Sequence, residues 1–160
     1  MDGNALSEGN PGEGRVKSLR FHRYVFDNYE KIGYENTHEL LRKHLSQDRD
    51  KLPEEEIREL ERRIQKNQLF EGYKSVLLQI VATADWSNTM ISWIVDIRRR
   101  ERSKQEIADI LSEFAVFVQY YPGTKDNEVL YDSLCDILDG FSDYGPPRKI
   151  LPDEPNVTFS

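Results

Sequence analysis

With 160 residues, 38% hydrophobic and 32% charged, the chain is long enough to bury a core without disulfide or metal staples, and it is not disordered throughout. Its net charge of -7 disfavours non-specific nucleic-acid binding by the surface as a whole. A single cysteine, Cys135, excludes an intrachain disulfide, and no apolar run reaches the roughly 18 residues that a membrane span needs. No basic-then-apolar leader opens the chain, so the expected setting is intracellular and cytoplasmic, without membrane attachment. The Asn156-Val157-Thr158 sequon is then expected to stay unmodified.

Residues 1–14, rich in Gly, Asn, Glu and Ser, read as a flexible tail. Over 15–32, Leu19, Phe26 and Tyr29 could line a helix, whereas Phe21, Tyr24, Val25 and Phe26 also suit a strand. Helix is the reading adopted, with Gly33 as its stop. Asn36 and Glu39 form a capping pair ahead of Leu40, Leu41 and Leu45, a short second helix. Pro53 followed by Glu54, Glu55 and Glu56 opens a third, because proline suits a first turn and carboxylates complement its exposed N–H groups. Its stripe of Ile57, Leu60 and Ile64 is narrow, which predicts a peripheral helix carrying pairs such as Glu54–Arg58 and Glu59–Arg63.

From Leu69 to Phe141, four apolar stripes at helical spacing follow one another. Phe70, Tyr73, Leu77, Ile80, Val81 and Ala84 form a wide core face, and Trp86, Met90, Trp93, Ile94 and Ile97 form the next. Asp85 or Ser87 is the candidate cap of that second stripe. No Gly or Pro separates Tyr73 from Ile97, which leaves one long helix or a tight pair open. Ser103 and Glu106 make a capping box ahead of Ile107, Ile110, Leu111, Phe114, Phe117, Val118 and Tyr121, and Pro122-Gly123 ends that helix. The last helix spans about Asn127 to Phe141, with Leu130, Leu134, Ile137, Leu138 and Phe141 facing inward. Gly145-Pro146-Pro147 stops it, and 146–160, with Pro152 and Pro155, reads as an extended tail. The expected fold is all-α: a single-domain bundle of six to seven helices over 15–145, with flexible termini.

Reaction chemistry is hard to assemble from these residues. His38 and His44 are six apart, on different helix faces, and His22 stands alone, so no metal is expected. There is no phosphate-cradling glycine loop and no Gly-x-Ser-x-Gly elbow. Glu106, Asp109 and Glu113 share a helix face, but a di-metal bundle wants inward Glu-x-x-His pairs, so they read as a solvated acidic face. Cys135, between Leu134 and Ile137 with no basic neighbour in sequence, reads as a buried, inert thiol. The expectation is a non-enzymatic protein with no cofactor.

Charge and aromatic content carry the better leads. Residues 105–147 hold nine acidic side chains against Lys125 alone, whereas basic residues gather at 15–23 and 98–104. Such a dipolar surface steers protein partners. Arg98, Arg99, Arg100, Arg102 and Lys104 are either a favourable helix end or a nucleic-acid contact. Ser103–Leu111 looks like the opening of a helix-turn-helix, yet Ser112–Phe117 continues the helix where the turn should come. Trp86, Trp93, Tyr120 and Tyr121 lie near stripe ends, where aromatic side chains serve as partner anchors or as core rim.

The pair Glu106–Tyr121 and Leu130–Phe141, followed by Asp143-Tyr144, resembles the closing helices of poxviral proteins with the apoptosis-regulator bundle fold. That resemblance rests on apolar spacing and implies a non-enzymatic decoy that binds signalling proteins through a groove or helix face. The family's Asn-Trp-Gly-Arg string is absent, and Asp85-Trp86-Ser87-Asn88 is a poor substitute. A helical viral shell protein with a Pro-rich extension after its last helix is resembled as loosely, and neither takes precedence.

The leading expectation is therefore an adaptor, inhibitor or assembly subunit that works through a protein partner or self-association. Its candidate contacts are Trp86, Trp93, Asp132, Asp136 and Asp139, with the basic segment 98–104 as a second contact. The alternative is a nucleic-acid regulator acting through that segment.

Overall fold

A computed structural model describes residues 14–141, 150–152, 154, 155 and 157, with side chains from Phe21 onward except that of His22. The tail expected at 1–14 up to residue 13, Asp143, Tyr144, the Gly145-Pro146-Pro147 stop, and Asn156 and Thr158 of the sequon lie outside these residues, as does the Leu19 side chain. The described chain is all-α, with no strand among the described residues. Its α-helices are α1 (Gly14–Ile32), α2 (Tyr34–Asp48), α3 (Glu54–Glu71), α4 (Lys74–Val81), α5 (Trp86–Arg100), α6 (Lys104–Tyr120) and α7 (Glu128–Asp139), with a 3-10 turn at Arg49–Lys51. Packing falls into two compact units, residues 1–65 and 66–160, divided within α3.

In the first unit, α1 settles the helix-or-strand question. Phe21, Val25 and Tyr29 are buried at four-residue spacing, the signature of one helix face, while Phe26 points outward. The inward face is thus rotated from the expected Leu19–Phe26–Tyr29 line. Gly33 stops α1 with φ 91° and ψ 165°, a backbone region that belongs to glycine. The same residue is the N-cap of α2, which begins at Tyr34, ahead of the expected Asn36–Glu39 capping pair. Asn36 instead donates its side-chain amide back to Ile32 O at 2.9 Å.

Tyr34, Thr37, His38 and Leu41 are the buried face of α2. Tyr29 stacks on Tyr34 at 5.3 Å between ring centroids, Tyr34 lies 4.6 Å from the His38 ring, and Tyr29 Oη sits 2.7 Å from His38 Nε2. One core histidine is thus held between two tyrosines. The Arg63 guanidinium lies over the Phe21 ring at 5.7 Å, tying α3 to α1.

Helix α3 is more than peripheral. Glu56, Leu60, Ile64, Asn67 and Phe70 are buried at three- and four-residue spacing along its whole length. The anticipated pairs Glu54–Arg58 and Glu59–Arg63 form at 3.6 and 3.9 Å.

In the second unit, the stretch from Tyr73 to Ile97 is the tight pair rather than one long helix, and Leu69 belongs to the helix before it. Leu69 and Phe70 close α3, Gly72 and Tyr73 turn, and α4 and α5 follow, separated by a turn at Ala82–Asp85. Glycine costs a helix about 1 kcal/mol relative to alanine, enough to favour the first break. At the second, Thr83 donates both its amide (3.1 Å) and its hydroxyl (2.7 Å) to Ile80 O, which closes off α4. Asp85 is the N-cap residue of α5 but makes no side-chain bond to the helix backbone, its carboxylate accepting from Asn88 at 3.1 and 3.2 Å.

The capping box opens α6 as the sequence predicts, and Asn127 caps α7 by accepting from Leu130 N at 3.0 Å. Ile107, Ile110, Leu111, Phe114, Phe117 and Val118 are all buried. Phe114 and Phe117 meet Phe70, with centroids 6.0 and 5.4 Å away, and Tyr121 stacks on Phe117 at 4.8 Å. Phe21, Tyr29, Tyr34, Phe70, Phe114, Phe117 and Phe141 are thus the aromatic core, while Tyr73, Trp86, Trp93, Tyr120 and Tyr131 are half-buried. On α7, Leu130 and Leu134 are buried and Ile137 and Leu138 half-buried.

The described part of the C-terminal stretch departs from a free extended tail. Ile150 is buried, and its amide donates to Gly140 O at 2.7 Å, while Val157 N donates to Phe141 O at 3.1 Å.

Candidate functional site

Trp86 and Trp93 lie seven residues apart on α5, two turns along one face, and both are half-buried. Trp93 meets Tyr73 edge-on, with ring centroids 5.7 Å apart, so part of this rim is spent inside the fold. Tyr73 Oη accepts from Arg102 Nε at 2.9 Å and donates to Glu101 Oε2 at 2.8 Å. Burial pushes the Tyr73 phenol above its ordinary value, Arg102 pulls it down and Glu101 pushes it up. A phenol so held orients the residues around it and stays neutral near pH 7.

That network also answers for much of the basic segment. Arg102 reaches Glu106 at 3.3 Å, Arg100 pairs with Asp96 at 2.8 Å, and Arg98 pairs with Glu154 at 2.9 Å. Lys104 is only 5% exposed, and its ammonium donates to the carbonyls of Leu151 and Glu154, both at 3.2 Å. Four of the five candidate cations therefore hold positions within the chain, and Arg99 is left facing solvent. The bond from Tyr73 raises the Arg102 guanidinium further above neutrality. Sequence spacing alone could not show this, because Glu154 stands 56 residues from Arg98.

The acidic candidates fare differently. Asp132, Asp136 and Asp139 are all exposed on α7, at the four- and three-residue spacing that makes one face. Glu128 extends that face by one turn, and beside it Val129 is 73% exposed. A cleft of about 370 Å³ at the α6–α7 turn is lined in part by Lys125, Glu128, Tyr131 and Asp132, so the acidic face runs into a concavity.

The supposed acidic face of α6 is not solvated in the same way. Glu113 is buried, and Asp109 accepts from Gln105 at 3.1 Å. Among the described residues, no three His, Cys, Asp or Glu side chains gather as metal ligands would. No described helix is long and apolar enough to cross a membrane.

No family model matches this chain, and neither a curated protein nor a solved structure does.

Proposed function

We propose that the protein is a non-enzymatic interaction module, an adaptor, inhibitor or assembly subunit, whose principal contact is the acidic face of α7. The observation that supports this most directly is the exposed line Glu128, Asp132, Asp136 and Asp139 running into the cleft beside Tyr131. Its complement is a basic protein surface, with a lysine or arginine entering between Glu128 and Asp132 and an apolar contact meeting Val129. Trp86 and Trp93 supply a half-buried aromatic rim, of which Trp93 is braced by Tyr73.

The test compares the full chain with its Asp132→Lys, Asp136→Lys, Asp139→Lys triple variant. Each is used for affinity capture at physiological salt, with sizing and light scattering alongside. A stoichiometric protein partner or defined oligomer that the triple variant loses, while retaining full helicity, is the expected result. Unchanged capture by the variant, or recovery of nucleic acid alone, would overturn the α7 reading. Trp93→Asp adds a separate measure: loss of the complex with helicity intact assigns Trp93 to the contact, and unfolding assigns it to the core.

A further inference from the structure

The corner between α5 and α6 is crossed by its own C-terminal segment. Arg98 Nε donates to both carboxylate oxygens of Glu154, at 2.9 and 3.0 Å. Lys104 Nζ donates to two main-chain carbonyls, those of Leu151 and Glu154. A buried ammonium demands acceptors, and here the tail supplies them. Ile150, 4% exposed, is the apolar anchor at the end of α7, pinned by its amide to Gly140 O, and Val157 N adds a second main-chain bond to Phe141 O.

Leu151 adopts φ 49°, the left-handed region that a branched side chain avoids. The turn it makes aims the Leu151 carbonyl at both Lys104 Nζ and Glu154 N, the latter at 3.1 Å. A residue stays in such a conformation only where its surroundings hold it there, and such residues gather at clamps and switches.

These contacts have the grammar of peptide recognition: one apolar anchor, two carbonyls read by a lysine, and an acid four residues after the anchor read by an arginine. The geometry points to the α5–α6 corner as a docking site for a turn-forming acidic peptide with an apolar anchor, filled in cis by the segment that carries Ile150, Leu151 and Glu154 so that the chain's own tail competes with partners. The tail joins α7 through residues 142–149, and so short a tether gives it an effective concentration on the order of millimolar. This inference rests on reading the chain as an interaction module, but it concerns a surface other than the acidic face of α7.

The experiment measures fluorescence anisotropy of a labelled peptide covering residues 149–160 against full-length proteins. The wild type is compared with Leu151→Pro, which cannot take a positive φ, and with Glu154→Ala, which releases Arg98. The peptide is expected to bind both variants about tenfold or more tightly than the wild type, because their own tails compete less. Adding Lys104→Met or Arg98→Glu to either variant should abolish that gain, with far-ultraviolet circular dichroism unchanged.

Equal affinity for all proteins, or no binding to either fully helical variant, overturns the inference. So does an opened variant that takes a labelled single-stranded oligonucleotide and ignores the peptide. The α7 triple variant is expected to leave peptide affinity untouched. A partner lost on α7 charge reversal while the peptide fails to bind would sink the docking site alone.

Discussion

Ser103 and Glu106 cap the start of α6 in both directions: Glu106 N donates to Ser103 Oγ at 3.1 Å, and Ser103 N donates to Glu106 Oε1 at 2.9 Å. Two of the amides that a helix start leaves unsatisfied are thereby paired. Ser103→Ala is expected to cost about 1 kcal/mol, read as a lowered Tm, whereas Glu106→Gln keeps an acceptor at the same place and should cost less.

The same pair sets a pH dependence. The backbone bond from Ser103 is the largest influence holding the Glu106 carboxyl below its ordinary value, and Arg102 adds to it. A carboxylate depressed in the folded state contributes stability above its unfolded pKa and loses it as pH falls through the lower folded one. Thermal melts carried from neutral pH into the acid limb should therefore show a shallower acid loss for Glu106→Gln than for the wild type. Parallel curves would show that the cap contributes nothing to the acid limb.

Two glycines separate backbone strain from packing. A Cβ at Gly33 would meet no atom within 4 Å, so only its φ of 91° opposes a side chain. Gly33→Ala should cost about 1–3 kcal/mol for that reason alone. At Gly72 a Cβ would make an ordinary contact, 3.6 Å from Leu69 O, and no positive φ is required. Gly72→Ala is expected to be neutral or to gain up to about 1 kcal/mol through reduced freedom of the unfolded chain. Equal losses in paired thermal melts would contradict the distinction.

How much was legible in advance follows from the range of each interaction. The Ser103–Glu106 box, the Gly33 stop, the Asn127 start and the Pro122-Gly123 end are decided within four residues, so spacing reveals them. The break at Ala82–Asp85 stays undecided in the sequence because it has neither Gly nor Pro and relies on Thr83 turning back to Ile80, although Asp85 is one of the two candidate caps. The core position of His38 is legible from Tyr34 four residues earlier and Leu41 three later, whereas the spacing of His38 and His44 speaks only to metal binding. The acidic face of α7 could be read from Asp132, Asp136 and Asp139. The fate of Arg98 and Lys104 could not, since Glu154 lies 56 and 50 residues away and no local pattern announces it.

The aromatic core of the second unit should show graded costs. Phe114 is fully buried between Phe70 and Phe117, so Phe114→Ala is expected to cost about 3–5 kcal/mol through lost burial and a residual cavity. Tyr121 is at the exposed end of the same ring series, 38% accessible, and stacks only on Phe117 among the described rings. Tyr121→Ala should cost no more than about 1.5 kcal/mol. Urea unfolding checks both, with the midpoint moving and the slope constant.

The single thiol provides the last prediction. Cys135 is half-buried on the helix that carries the acidic face, and burial is the chief reason its thiol is raised above the ordinary value. Asp139, Asp132 and Asp136 raise it further, against an opposing hydrogen bond with Tyr131. Because the thiolate is the nucleophile, alkylation near pH 7 should be slow and should climb with pH beyond the usual thiol range. Replacing Asp132, Asp136 and Asp139 by asparagine removes three negative charges without unpacking Leu134, so labelling at fixed pH should accelerate. Tyr131→Phe removes the opposing bond and should slow it. Mass-spectrometric labelling rates decide the matter: an unchanged rate in the asparagine variant would mean that burial alone sets the thiol and that the α7 charges are screened by solvent.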